Sequence, residues 1–162
     1  MTISIGDTLP EATLSRLGDD GPEPVTLSSL TTGRKVVIFG LPGAFTGTCS
    51  TAHVPSFMKN ADALRAKGVD QIICVSANDP FVMAAWDKDT GASAAGVTFL
   101  ADHNSELTKG TGMDFDVPAI GFHGRSKRYA LLAENGVVKV LNLDENAGTC
   151  NLSSGETMLD AL

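Results

Sequence analysis

The strongest constraint on this chain is an alternation. Short apolar runs rich in β-branched residues recur at wide spacing, with helical patterns between them. Lys35-Val36-Val37-Ile38-Phe39, closed by Gly40 and Pro42, has the length and flanks of a buried strand. Residues 71–76 and 97–100 repeat that pattern. Residues 129–132 and 137–141 flank Glu134-Asn135-Gly136, and an Asn-Gly pair between apolar runs predicts a hairpin. Two shorter β-like pieces, near Thr13-Leu14 and Val25-Thr26-Leu27, flank a polar loop and predict an N-terminal hairpin.

Three helices fit between and after the strands. Val54, Phe57, Met58, Ala61 and Leu64 recur at helical spacing, predicting a helix from about residue 50 to 66. Asn78-Asp79-Pro80 announces the next, with Asp79 at the N-cap and Pro80 at the first helical position, running through Trp86. Ser153-Ser154-Gly155-Glu156 reads as a capping box opening a last helix at Met158-Leu159. The order predicts an α/β domain of thioredoxin-like arrangement: a central mixed sheet flanked by helices, with an N-terminal hairpin. Length is about that of one ordinary domain, and no repeat or linker divides residues 1–162.

Composition narrows the function classes. Hydrophobic residues make up 43% and charged residues 19%, enough for a packed core and unlike a disordered or collagenous chain. Twelve basic against nineteen acidic residues give a net charge of −7. Such a surface repels phosphate backbones, and Arg125-Ser126-Lys127-Arg128 is the one weak basic candidate, so no nucleic-acid partner is expected. No apolar run approaches a membrane span, and the first residues lack a secretory signal pattern. The expectation is a soluble, cytoplasmic protein in a reducing compartment. Its three cysteines, Cys49, Cys74 and Cys150, are odd in number and too few for a disulfide scaffold. With no C-x-x-C, no H-E-x-x-H and no phosphate-binding glycine loop, each cysteine is read by itself.

The informative stretch is Gly40-Leu41-Pro42-Gly43-Ala44-Phe45-Thr46-Gly47-Thr48-Cys49-Ser50. It joins a buried strand to a helix entry, at the end of the sheet where open α/β folds bind ligands. The unpaired N–H groups at a helix start favour an anion, the condition for a reactive thiolate at Cys49. Thr46 could hydrogen-bond that thiolate or a bound oxygen, and Pro42 could shield it. A buried, inert core cysteine fits the position about equally well. His53, four residues after Cys49, could join it in binding a metal, but two ligands are too few, and a hydrogen-bonded structural histidine is the better reading. His103 and His123 read as loop residues without a role, and Trp86 and Phe81 as core contacts.

Pro42-x-x-x-Thr46-x-x-Cys49 resembles the active-site pattern of the peroxiredoxins. The longer string, with His53-Val54-Pro55, Val75-Ser76-Ala77-Asn78-Asp79-Pro80-Phe81 and Lys127-Arg128-Tyr129-Ala130, is similar to their type II or peroxiredoxin-5 branch over nearly the whole chain. The resemblance implies a thiol peroxidase without metal or organic cofactor, acting on hydrogen peroxide and alkyl hydroperoxides. It maps the peroxidatic cysteine to Cys49, the hydroxyl residue to Thr46, the shielding proline to Pro42 and the arginine to Arg128, with Arg125 close enough in sequence to exchange roles. Leu41, Phe45 and Ile120 would line an apolar mouth for organic hydroperoxides, or form a dimer contact.

The family resolves the resulting sulfenic acid in different ways. Cys150, in a polar loop before the last helix, stands where animal members of this branch carry a resolving cysteine. Cys74 has a spacing resembling plant type II members, but it lies in an apolar run whose unfolding would be needed to reach Cys49. Cys150 therefore ranks first, with an external thiol, glutathione or glutaredoxin, close behind. Thioredoxin, glutaredoxin or glutathione is the expected reductant, and a homodimer the expected assembly. Rival readings are a redox-sensing protein without efficient turnover and a thioredoxin-like disulfide exchanger, the second already disfavoured by the missing C-x-x-C.

Overall fold

The computed structural model describes residues 1–162. β1 (Thr13–Gly18) and β2 (Gly21–Thr26) form the N-terminal hairpin, and a short α1 (Leu27–Thr31) leads into β3 (Lys35–Gly40). Then follow α2 (Val54–Ala66), β4 (Gln71–Ser76), α3 (Pro80–Thr90), β5 (Val97–Ala101) and α4 (Glu106–Gly110). The chain closes with β6 (Asp114–Val117), β7 (Phe122–Ser126), β8 (Tyr129–Glu134), β9 (Val137–Leu143) and α5 (Gly155–Asp160). Seven strands make one sheet in the order β2-β1-β5-β4-β3-β8-β9, and β6 pairs with β7 in a separate ribbon.

β3, β4 and β5 run parallel, while β8 lies antiparallel to β3, so the sheet is mixed, as the thioredoxin-like expectation requires. Both faces of β3 are buried, which is why its sequence is continuously apolar rather than alternating. Val37 and Phe39 face a core shared with Phe57, Leu64, Trp86 and Met158 under the helices. Val36 and Ile38 face a second core with Leu14, Leu27, Leu107 and Leu131. Each such aliphatic or aromatic side chain contributes about 1.5–3 kcal/mol on burial. The Asn-Gly expectation holds: Asn135 and Gly136 both take positive φ (48° and 77°) in a two-residue turn that pairs Glu134 with Val137.

Several local expectations shift. The chain enters α2 through a π-helical turn, Cys49–His53, rather than a regular α-helix from residue 50. Asp79 does cap α3, accepting from the Val82 amide at 2.8 Å. Phe81 is 60% exposed rather than packed on the core, because the buried stripe of α3 is Pro80, Met83 and Trp86 and position 81 falls beside it. At α5 the cap is Ser154, whose hydroxyl accepts from the Thr157 amide at 3.2 Å. Ser153 is drawn away by Asp144, so the cap falls one residue later than the expected box places it.

Candidate active site

β3 delivers the chain to the site. After Gly40, residues 41–48 cross the carboxyl end of the sheet, and Cys49 opens the π turn with its side chain fully buried. Phe45 in this loop has φ +62°, a left-handed conformation that costs a residue with a Cβ about 1–2 kcal/mol. The loop is held from outside: Asn78 Oδ1 accepts from the Ala44 amide at 3.0 Å, and Arg125 Nη1 donates to the Pro42 carbonyl at 2.9 Å. Thr46 closes it from within, donating its hydroxyl to the Gly43 carbonyl at 2.7 Å.

Arg128 stands between β7 and β8 and reaches the sulfur. Its Nη2 donates to Cys49 Sγ at 3.1 Å, Nη1 to His53 Nδ1 at 3.0 Å and Nε to the Ala147 carbonyl at 2.9 Å. Arg128 is only 2% exposed. The ion pairs of the molecule are Arg16–Glu23, Lys35–Glu134 and Lys59–Glu156, so no carboxylate balances this guanidinium. A buried cation needs a counter-charge, and among its three partners only the Cys49 sulfur can supply one. Nη2 of Arg128 is therefore placed to hold negative charge on the Cys49 sulfur.

His53 is the residue whose part in the site the sequence did not reveal. An arginine only donates, so His53 Nδ1 must accept, and its Nε2–H donates to the Ser153 carbonyl at 3.0 Å. Burial, reinforced by the neighbouring Arg128 charge, lowers its pKa to about 3. His53 is therefore neutral near pH 7, an acceptor for Arg128 rather than a competing cation. The contact joins positions 75 residues apart, so only the fold could reveal it.

A loop between β9 and α5 closes the site from the other side. The Ala147 carbonyl accepts from Arg128, the Gly148 carbonyl from the Thr48 hydroxyl at 2.8 Å, and the Ser153 carbonyl from His53. Asp144 anchors this loop, accepting from the amides of Asn151 (3.2 Å), Leu152 (2.9 Å) and Ser153 (3.2 Å) and from the Ser153 hydroxyl. Burial pushes the Asp144 carboxyl up, but the Ser153 hydroxyl and those three amides outweigh it and hold the carboxyl below its usual range.

Over the site opens a pocket of about 240 Å³, lined in part by Pro42, Thr46, Arg128 and Ile120. The structure thus brings together four of the residues singled out in sequence. Leu41 is not at this mouth: it is fully buried in the core beside Cys49, because it continues the inward face of β3 past Gly40. Phe45 is half exposed and turned toward Trp86, with ring centroids 6.3 Å apart. The apolar wall comes instead from Phe115, Val117 and Phe122 on the β6–β7 ribbon. Arg125 and Arg128 do not exchange roles: one holds the Pro42 carbonyl and the other the sulfur.

The two remaining thiols differ sharply. Cys74 is fully buried in β4, paired to Phe39 on one side and Phe99 on the other. Burial pushes its thiol well above the ordinary range, with a further rise from Cys49 and a smaller opposing effect of Arg128. Cys150 is half-buried in a crevice with Ala52, Pro55, Lys59 and Glu156, on the α2 side. Burial raises its pKa too, against smaller lowering effects of the Ser153 hydrogen bond and Arg128.

The Redoxin family model matches residues 4–159. The chain is 52% identical over 165 residues to the chloroplastic peroxiredoxin-2E-2 of Oryza sativa subsp. japonica, covering 99% of this chain and 73% of that protein. It is 47% identical to peroxiredoxin-2C of the same organism, covering 99% and 98%. Among solved structures, reduced Prx3 of Vibrio vulnificus in complex with hydrogen peroxide superimposes with a TM-score of 0.90 at 45% identity, covering 99% of both chains. With the fold, the matched length and these relatives in agreement, the chain belongs to the peroxiredoxins, in their type II branch, and is a thiol-dependent peroxidase with a redox-active cysteine.

Proposed function

We propose that Cys49 is the peroxidatic cysteine and that the protein reduces hydrogen peroxide and alkyl hydroperoxides. The observation that carries this reading is the buried Arg128 guanidinium on the Cys49 sulfur at 3.1 Å. The thiolate attacks the terminal peroxide oxygen, so an S–O bond forms while the O–O bond breaks. Sulfur loses two electrons and the peroxide gains them. The proton of the attacked oxygen passes to the departing oxygen, which leaves as water or an alcohol. Charge moves off sulfur during the step, and Arg128, bonded to the sulfur and open to the pocket, can follow it. Thr46 has committed its own proton to the Gly43 carbonyl, so its lone pairs are free to accept from the peroxide O–H and align it. The apolar wall of Ile120, Val117, Phe115 and Phe122 suits an alkyl substituent.

Cys150 is the first-ranked resolving thiol in this reading, because it sits on a loop while Cys74 is locked in a central strand of the sheet. Cys49 is fully buried and neither thiol is bonded, so bridging them moves at least one of the two sulfurs toward the other. Attack of the Cys150 thiol on the sulfenic acid forms the S–S bond and releases water; glutathione, glutaredoxin or thioredoxin then reduces it or resolves Cys49 directly. A homodimer is part of the proposal, since Phe45, Phe81 and Ile120 leave apolar rings and chains exposed near the site. So is a cytoplasmic, reducing location, which suits three free thiols. Peptide mass mapping after stoichiometric hydrogen peroxide tests the core of this reading. Oxidation at Cys49 is expected, with a Cys49–Cys150 bridge where Cys150 resolves and a lone sulfenic or sulfinic acid where an external thiol does. Oxidation that spares Cys49 would overturn it.

A further inference from the structure

We propose that Arg125 is a positioning residue for peroxide reduction: together with Asn78 it sets the Gly43 carbonyl, and through it the direction of the Thr46 hydroxyl. The inference rests on the assignment of Cys49 and Thr46 above.

Thr46 has one proton to give, and giving it to the Gly43 carbonyl is what leaves its lone pairs for the peroxide. A carbonyl that turned away would free that proton to point at the sulfur or at the wrong peroxide oxygen. The direction of the Gly43 peptide is therefore a catalytic variable. It lies in a loop whose next residue but one, Phe45, sits in a left-handed conformation with its ring half exposed. Burial of Phe45 does not impose that conformation, so outside contacts must.

Asn78 holds the Gly43–Ala44 peptide through the Ala44 amide, and Arg125 fixes the preceding peptide from the β7 side. It donates Nη1 to the Pro42 carbonyl at 2.9 Å, and its guanidinium carbon stands 4.7 Å from the Phe122 ring centre. The guanidinium also lies against the Gly43 Cα, where a Cβ would collide with Nη1. Glycine at 43 thus leaves the space that the guanidinium fills while it bonds the preceding carbonyl. A lysine ammonium could make the bond but not fill that space. Arg125 forms no ion pair and does not touch Cys49, so it is free of the thiol-activating role that Arg128 fills. Its second effect is to lock the substrate loop to the β6–β7 ribbon that walls the pocket.

The test reads the second-order rate of Cys49 oxidation by hydrogen peroxide in a single turnover, followed as loss of free thiol. Arg125→Gln is expected to lower it by about tenfold, the scale of a misplaced orienting group, and Arg125→Lys not to restore it. The rate of Cys49 alkylation by iodoacetamide stays at the parent value, because the thiol's own partner, Arg128, is untouched. Thr46→Val lowers the peroxide rate, and adding Arg125→Gln to it costs little more. Gly43→Ala reproduces the loss in the parent and adds little to Arg125→Gln, since the guanidinium it displaces is already gone. A parent-like peroxide rate in Arg125→Gln, or losses that multiply in the Thr46 and Gly43 pairs, would overturn the proposal. An equal fall in alkylation would also overturn it, by placing the effect on the thiol. Should Arg125→Gln fail to fold, Gly43→Ala alone decides on the same two rates. Unchanged peroxide reactivity in Cys49→Ser would instead sink the reading beneath it, a result distinct from any of these.

Discussion

Arg128 is 2% exposed, yet its guanidinium meets only a carbonyl, a neutral imidazole and the Cys49 sulfur. That guanidinium is placed to follow negative charge as it leaves the sulfur. This predicts that Cys49→Ser abolishes turnover and that Arg128→Ala lowers kcat/KM by roughly two orders of magnitude or more, the loss of a charge-stabilising donor in a water-poor site. Arg128→Lys is expected to recover little, because one ammonium cannot serve a sulfur, an imidazole and a carbonyl from fixed directions. Steady-state peroxidase assays of the three variants check this, and near-parent activity in Arg128→Ala would remove the guanidinium from the mechanism. Pro42, Thr46 and Cys49 lie within one loop, so the resemblance of that short stretch to a family pattern was enough to single them out together, while position alone left Cys49 open. His53 was visible as a residue but not as a partner. Its place against Arg128 depends on how α2 meets the start of β8, which no local pattern encodes.

At the scale of elements, the longer core strands and helices could be read from their apolar periodicity, whereas the five-residue α1 and α4, which give the second core Leu27 and Leu107, are too short to show one, and the β6–β7 ribbon shows none. β6 and β7 are largely open to solvent, so Asp114, Asp116 and His123 break any alternation that would announce them. Yet that ribbon supplies the pocket wall, which is why Leu41 and Phe45 were expected in places taken by Phe115, Val117 and Phe122. The loop from Asp144 to Ser153, which carries Cys150, is tied to the site by three carbonyls and to itself by one carboxylate. Asp144 is therefore the element's clamp. Asp144→Ala is expected to raise the alkylation rate of Cys150 several-fold and to speed amide exchange at Asn151, Leu152 and Ser153, whose donors lose their acceptor. Unchanged exchange at those amides would show that the loop is held by its contacts to the site alone.

For the whole molecule, the same buried network sets how stability responds to acid. An unfolded His53 takes up a proton near its ordinary value of 6.5, whereas in the folded protein it does so only at about 3. Between those values the unfolded state holds the extra proton, so stability rises with pH and falls as acid is added. One such group changes unfolding free energy by up to about 1.4 kcal/mol per pH unit within that window. Asp144 acts in the same sense lower down: its folded carboxyl is held below the usual range, so its support is complete above its ordinary value of 3.8 and is lost as pH falls through the folded one. Urea unfolding of the parent at pH 7 and pH 5 should show a clear loss of stability. His53→Gln keeps a side-chain hydrogen-bonding group but cannot titrate, so its loss between the same two conditions should be smaller by about the contribution of one proton. An identical loss in parent and variant would mean that His53 is not buried neutral. The imidazole would then not be the acceptor that fixes Arg128 on the Cys49 sulfur.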